Sequence, residues 1–167
     1  DLGGLATAFV LVGGLWWAYF HHSLGLMEYY INRSRVPFRA VRSLLAYGHL
    51  ALAAGLIALA AGLHHVMEEP HDRVPMETSA LLSSGVIVFL AMFAVIRLRN
   101  ARKIYRSRVV ACALCLALIP AGPHMSGVLL VGLLALITVA ECLWETLAPA
   151  GAGVPDLDEL ADRAART

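Results

Sequence analysis

Five long apolar runs in 167 residues leave this chain few places to fold other than a lipid bilayer. They cover Leu2 to Phe20, Leu44 to Met67, Ala80 to Leu98, Val109 to Ala121 and Val128 to Leu147, each bounded by charged or turn-forming residues. The mean hydropathy is +0.71, with 59% apolar and 15% charged residues. Soluble domains of this length carry about 25% charge. The expected fold is therefore all-α and polytopic, with five transmembrane helices over residues 1–149 and a tail over 150–167.

The basic residues give that layout a direction. If the connections alternate sides, those after spans one, three and five carry Arg33, Arg35, Arg39 and Arg42, then Arg97, Arg99, Arg102, Lys103, Arg106 and Arg108, then Arg163 and Arg166. These are twelve of the thirteen Lys and Arg residues. The opposite face holds Arg73 among Glu68, Glu69, Asp72 and Glu77. The positive-inside bias makes the Arg-rich face cytoplasmic and puts Asp1 outside. The arginines then face anionic headgroups, so their presence implies a membrane surface as partner and gives no indication of nucleic acid. Cys112, Cys115 and Cys142 all fall inside spans, where no structural disulfide is expected.

The first run starts without Met or a positive leader segment, so it does not read as a cleavable signal peptide. An outside start directly on a span is expected of the C-terminal portion of a larger polytopic protein, with upstream spans or a partner subunit beside it. Trp16, Trp17, Tyr19 and Phe20 form an aromatic anchor at the inner interface. Between His21 and Ser43, Leu24, Met27, Tyr30 and Ile31 recur as in an interfacial helix that Pro37 ends. Ala51, Gly55, Ala58 and Gly62 give span two a stripe of small residues for close helix approach, which makes it the expected most-buried helix. The thirteen apolar residues of span four rise only about 20 Å, short of the roughly 30 Å core. In the tail, Asp156 and Glu159 have the spacing of a capping box for a short cytoplasmic helix with Leu157, Leu160, Ala161 and Ala164 on one face.

A set of landmarks in chain order resembles the LtrA family, the bacterial low temperature requirement protein A group. They are Leu15-Trp16-Trp17-Ala18-Tyr19-Phe20, Tyr47-Gly48-His49-Leu50, Ala54-Gly55-Leu56-Ile57, Ala61-Gly62-Leu63, Leu81-Leu82-Ser83-Ser84-Gly85, Phe89-Leu90, Ile96-Arg97-Leu98-Arg99 and Trp144-Glu145. The likeness is to the C-terminal half of that family. It implies a bacterial inner-membrane, multi-pass location and a link to growth in the cold, and it implies no reaction. The family pattern has an acidic residue where this chain has His21, and another where it has His64.

The residues themselves offer several candidate sites. His64, His65, Glu68, Glu69 and His71 cluster at the end of span two, with His64 to Glu68 and His65 to Glu69 at i, i+4, a spacing suited to a divalent metal. Polar residues ending a span in water are the stronger reading, because Pro70 breaks the helix and no second motif adds a ligand. Cys112 and Cys115 lie on a helix in lipid without the turn that redox centres use, which makes them packing residues. A bis-histidine haem site on His49 and His64, with His21 or His124 opposite, needs a facing span with two ligands, and none has them. No cofactor is expected.

His49 and Glu141 are the strongest candidates for a polar intramembrane site. Both lie roughly 7 to 9 Å below the inner interface by helical rise. Ionisable groups at such depth face a partner, the bundle interior or a wet cavity. Glu145 adds a second carboxylate, and Tyr47 and Thr138 supply hydroxyls. The expectation is that His49 and Glu141 meet, either as a helix-locking pair or in a proton or substrate path, with unpaired snorkelling toward the interface as the remaining reading. Two function classes follow: a transporter or permease-like protein with a cytoplasm-facing cavity, or a non-catalytic accessory subunit that docks a partner or anionic lipid. A lipid-modifying enzyme is a third and weaker reading, since only the outer His/Glu cluster resembles catalytic machinery.

Overall fold

The computed structural model describes residues 2–22, 46–101 and 106–147. Five helices account for nearly all of them: α1 (Leu2–His22), α2 (Gly48–Glu68), α3 (Met76–Ala101), α4 (Arg106–Ala121) and α5 (Gly127–Leu147). A short 3-10 turn, Gly122–His124, links α4 to α5. The β-type pairing found among the described residues is one bridge between Arg73 and Ser126. The segment between His22 and Ala46, residues 102–105 and the tail from Ala148 lie outside the described residues. The expected interfacial and tail helices both fall there.

The chain is all-α, and α1, α2, α4 with its 3-10 extension, and α5 are long and apolar enough to cross a membrane. The fifth helix, α3, contributes a shorter apolar segment, Met76–Met92. Span four is not short. Helix continues through Pro120, and the segment Arg106–His124 has 19 residues. At 1.5 Å each that is about 28 Å, close to the thickness of the hydrocarbon core. Half of the extra length is the 3-10 turn and half comes from the start of the helix, which puts Arg108 inside α4 rather than in a flanking loop.

Helix α2 is not the most buried: 28% of its apolar window is covered, against 44% for α5. The reason lies in how the small residues are used. On α2, Gly48, Leu52, Gly55, Leu59, Gly62 and Val66 form a thin seam, and α3 occupies it. A Cβ placed on Gly85 would lie 2.7 Å from the Gly55 carbonyl oxygen, and one on Gly55 would lie 2.9 Å from that of Gly85. A Cβ on Gly62 would lie 2.7 Å from Leu82 Cγ. Backbone meets backbone here, so burial on α2 is deep but narrow. Ala51 and Ala58 flank the seam half-buried. Helix α5 instead packs α1 on one side and α4 on another, with lighter contact to α2 and α3.

One end of the bundle is tied by the connections themselves. The backbone N–H of Gly127 donates to Asp72 O at 3.1 Å, that of Val128 to Pro70 O at 2.9 Å, and that of Val74 to Met125 O at 3.3 Å. The first donors of α5, which have no partners within their own helix, are thereby satisfied by the α2–α3 connection. Ser79, fully buried on α3, donates to Leu118 O or Ile119 O, at 3.2 and 3.0 Å. The residue four beyond Ile119 is Pro123, which has no N–H to offer, so the hydroxyl supplies what the helix lacks. A Cβ on Gly4 would lie 3.2 Å from Met67 Cε, which puts the start of α1 at this same end. Large apolar side chains such as Phe9, Trp16, Leu136 and Trp144 point outward. In water this would be a liability; against acyl chains it is the expected outer surface.

Candidate functional site

At the other end of the bundle, three ionisable side chains are buried together. Arg108 enters from the start of α4, while Glu141 and Glu145 lie one turn apart near the end of α5. Their exposures are 3%, 4% and 6%. The local sequence explains the convergence. On α4, Arg108, Ala111 and Cys115 share the buried face by i, i+3, i+7 spacing. On α5, Leu134, Thr138, Glu141 and Glu145 continue one buried stripe. Because α4 and α5 are antiparallel neighbours, the first turn of one meets the last turns of the other.

Arg108 Nε donates to Glu145 Oε1 at 2.9 Å, and Nη2 to Glu145 Oε2 at 2.8 Å. This is the two-pronged geometry that a planar guanidinium makes with a carboxylate. Glu141 Oε1 is also within ion-pair distance of Nε, at 3.1 Å. The Nε hydrogen is committed to Glu145, however, and neither Glu141 oxygen receives a hydrogen bond among the described residues. The Glu141 carboxyl group thus sits against the guanidinium without a directed bond from it. Cys142 beside it donates its thiol to the Gly14 carbonyl of α1 at 3.5 Å, so α1 closes a third side.

The expected contact between His49 and Glu141 does not form. His49 is exposed at the start of α2, and its Nε2 lies 3.3 Å from the Tyr19 hydroxyl of α1. Equal depth along two helices did not bring the side chains onto facing sides. Tyr47 is exposed beside His49. Thr138 is buried, with its hydroxyl turned back to Leu134 O at 2.8 Å. Of the five residues expected to share a polar site, the structure brings together Glu141 and Glu145. Their partner is Arg108, which sequence reasoning had assigned to a basic surface block.

The other candidates separate in space. His64 Nε2 and His65 Nδ1 both approach Glu68, at 3.8 and 3.9 Å, on an exposed surface. Helix α2 ends at Glu68, so Glu69 and His71 leave its face. Among the described residues no three His, Cys, Asp or Glu side chains converge on a metal-sized site. His49 and His64 are fifteen residues apart on one helix, about 22 Å by helical rise, and cannot share a haem. Cys112, Cys115 and Cys142 are free thiols. A groove of about 450 Å³ lined by Gly13, Trp16, Trp17 and Phe20 runs along α1 on the side away from Gly14.

The family model for the bacterial low temperature requirement A protein (LtrA) matches residues 2–143. The chain belongs to the LtrA family. No curated protein and no solved structure matches it. The match takes in all of α1 to α4 and most of α5, so Arg108 and Glu141 lie within the LtrA region and Glu145 two residues beyond it. It is thus a multi-pass helical protein of a bacterial membrane family, with a buried cluster of charge between two of its helices.

Proposed function

We propose that this LtrA-family chain is a permease-like protein of the bacterial inner membrane whose polar centre is Arg108, Glu141 and Glu145. The observation that carries the reading is that, among the described residues, one guanidinium is buried against two carboxylates. A cluster that only locked α4 to α5 would need one carboxylate, and Glu145 already uses the guanidinium fork. The second carboxylate adds several kcal/mol of desolvation without adding a directed bond. Such groups within membrane helices mark ion and substrate pathways. With the Arg-rich connections cytoplasmic, the centre lies near the cytoplasmic face.

Purified protein in liposomes tests this. A potassium diffusion potential is set across the vesicles, and its decay is followed with trapped pH-sensitive and potential-sensitive dyes. The potential is expected to decay faster than in protein-free vesicles, and slowly again with Glu141→Gln. Decay equal to that of empty vesicles, with folded protein incorporated, overturns the permease reading. That result would favour the second reading, a non-catalytic subunit that docks a partner or anionic lipid. Its supporting observation is the dry, two-pronged Arg108–Glu145 contact, the geometry of a structural lock.

A further inference from the structure

Resting on the permease-like reading of the same cluster, we propose that Glu141 carries an exchangeable proton in the resting protein, so that the site holds a neutral trio: Arg108 as cation, Glu145 as anion and Glu141 as acid. The ligand of the centre is then a proton. The first support is geometric. Arg108 lies within reach of both carboxylates, at 3.1 Å from Glu141 and 2.8 Å from Glu145, yet of these two it is Glu145 that receives its hydrogen bonds. The second is burial. The Glu141 side chain is 1% exposed, and neither oxygen accepts a hydrogen bond among the described residues. An ionised carboxylate left in that condition keeps its full desolvation cost. A carboxylic acid does not.

Among the described residues, the groups around Glu141 supply no second cation. The titratable side chains that interact with the carboxylate are Arg108 and Cys112 on α4, and Cys142 and Glu145 on α5. From α1 the backbone contributes the Gly14 carbonyl, which accepts from Cys142. The cation His49 could have supplied is turned to Tyr19. With Glu145 and Arg108 cancelling, the proton on Glu141 completes neutrality. When it leaves, the guanidinium has two anions to serve and must be shared between them. Proton exchange thereby becomes a switch in the α4–α5 contact.

Infrared spectroscopy on the detergent-purified chain reads this without any transport assay. A protonated carboxyl has a C=O stretch well separated from the carboxylate bands and shifts when water is exchanged for deuterium oxide. The wild type is expected to show such a band and Glu141→Gln to lose it. Gln is the uncharged isostere of a protonated Glu, so this variant should fold as the parent does. In Glu145→Gln the freed guanidinium is expected to turn to Glu141, and the band should again be lost. Persistence of the band in Glu141→Gln, or its absence from the wild type, overturns the proposal. A band that behaves as expected in a protein with no flux leaves the proton on Glu141 and rejects the permease reading alone.

Discussion

Arg108 gives its Nε and Nη2 hydrogens to Glu145, at 2.9 and 2.8 Å, and so fastens the first turn of α4 to the last turn of α5. The contact is a directed link between these helices, and both side chains are buried.

Replacing Arg108 with Leu should therefore cost about 3 to 5 kcal/mol, because the Glu145 carboxylate would remain buried without its cation, beside the equally buried Glu141. Replacing all three members with apolar residues of similar volume should cost much less. Unfolding of the purified protein in mixed micelles, compared across the single and triple variants, measures the difference. A triple variant as unstable as Arg108→Leu would contradict the account.

His49 should behave as a surface residue with respect to the cluster. His49→Ala is expected to cost under about 1 kcal/mol and to combine additively with Glu141→Gln. Coupling should appear with Tyr19→Phe instead, since the Tyr19 hydroxyl is its hydrogen-bond partner at 3.3 Å. A double-mutant cycle for each pair decides between them.

The α2–α3 seam predicts a sharp contrast among glycines. Gly85→Ala would press a methyl to 2.7 Å from the Gly55 carbonyl oxygen, and overpacking of this kind costs about 1 to 3 kcal/mol. Gly13→Ala meets nothing within 4 Å and should change stability by less than about 0.5 kcal/mol. Thermal melts of the two variants side by side give the comparison.

Orientation has a direct check at two exposed positions. An impermeant thiol reagent on intact cells should reach Asp72→Cys, and should reach Arg106→Cys only after permeabilisation. Both native side chains are exposed, whereas Ser79 on the same connection side is fully buried and would make a poor reporter. Labelling with the two positions exchanged would invert the proposed topology.

Most of the helical layout was legible from apolar run length. The runs Leu2 to Phe20 and Val128 to Leu147 differ from α1 and α5 by two residues or fewer at each end. The failure at span four has a definite cause: Arg106 and Arg108 were counted as loop because charge normally ends a span, and here a buried carboxylate neutralises the second of them. The signals were present. Arg108 stands three residues before Ala111 and seven before Cys115, on the face that packs, and two carboxylates one turn apart inside a span call for a cation. The small-residue stripe of α2 marked the face that turns inward, and matched depth alone could not place His49 on it. Glycine at 48, 55 and 62 selected the seam and left His49, one residue round the helix, outside it.

The carbonyls of Pro70 and Asp72 that receive the first N–H groups of α5 belong to a connection made well before α5 in the chain. During synthesis, the ribosome delivers the α2–α3 hairpin before α5, the last of the five helices. The last helix therefore arrives at a prepared template: its free amide ends meet acceptors already fixed in place, and Gly127, with no Cβ, seats close to Val66. A defect in the 69–75 turn would then show itself as late failure of insertion, in chains whose earlier helices had assembled correctly.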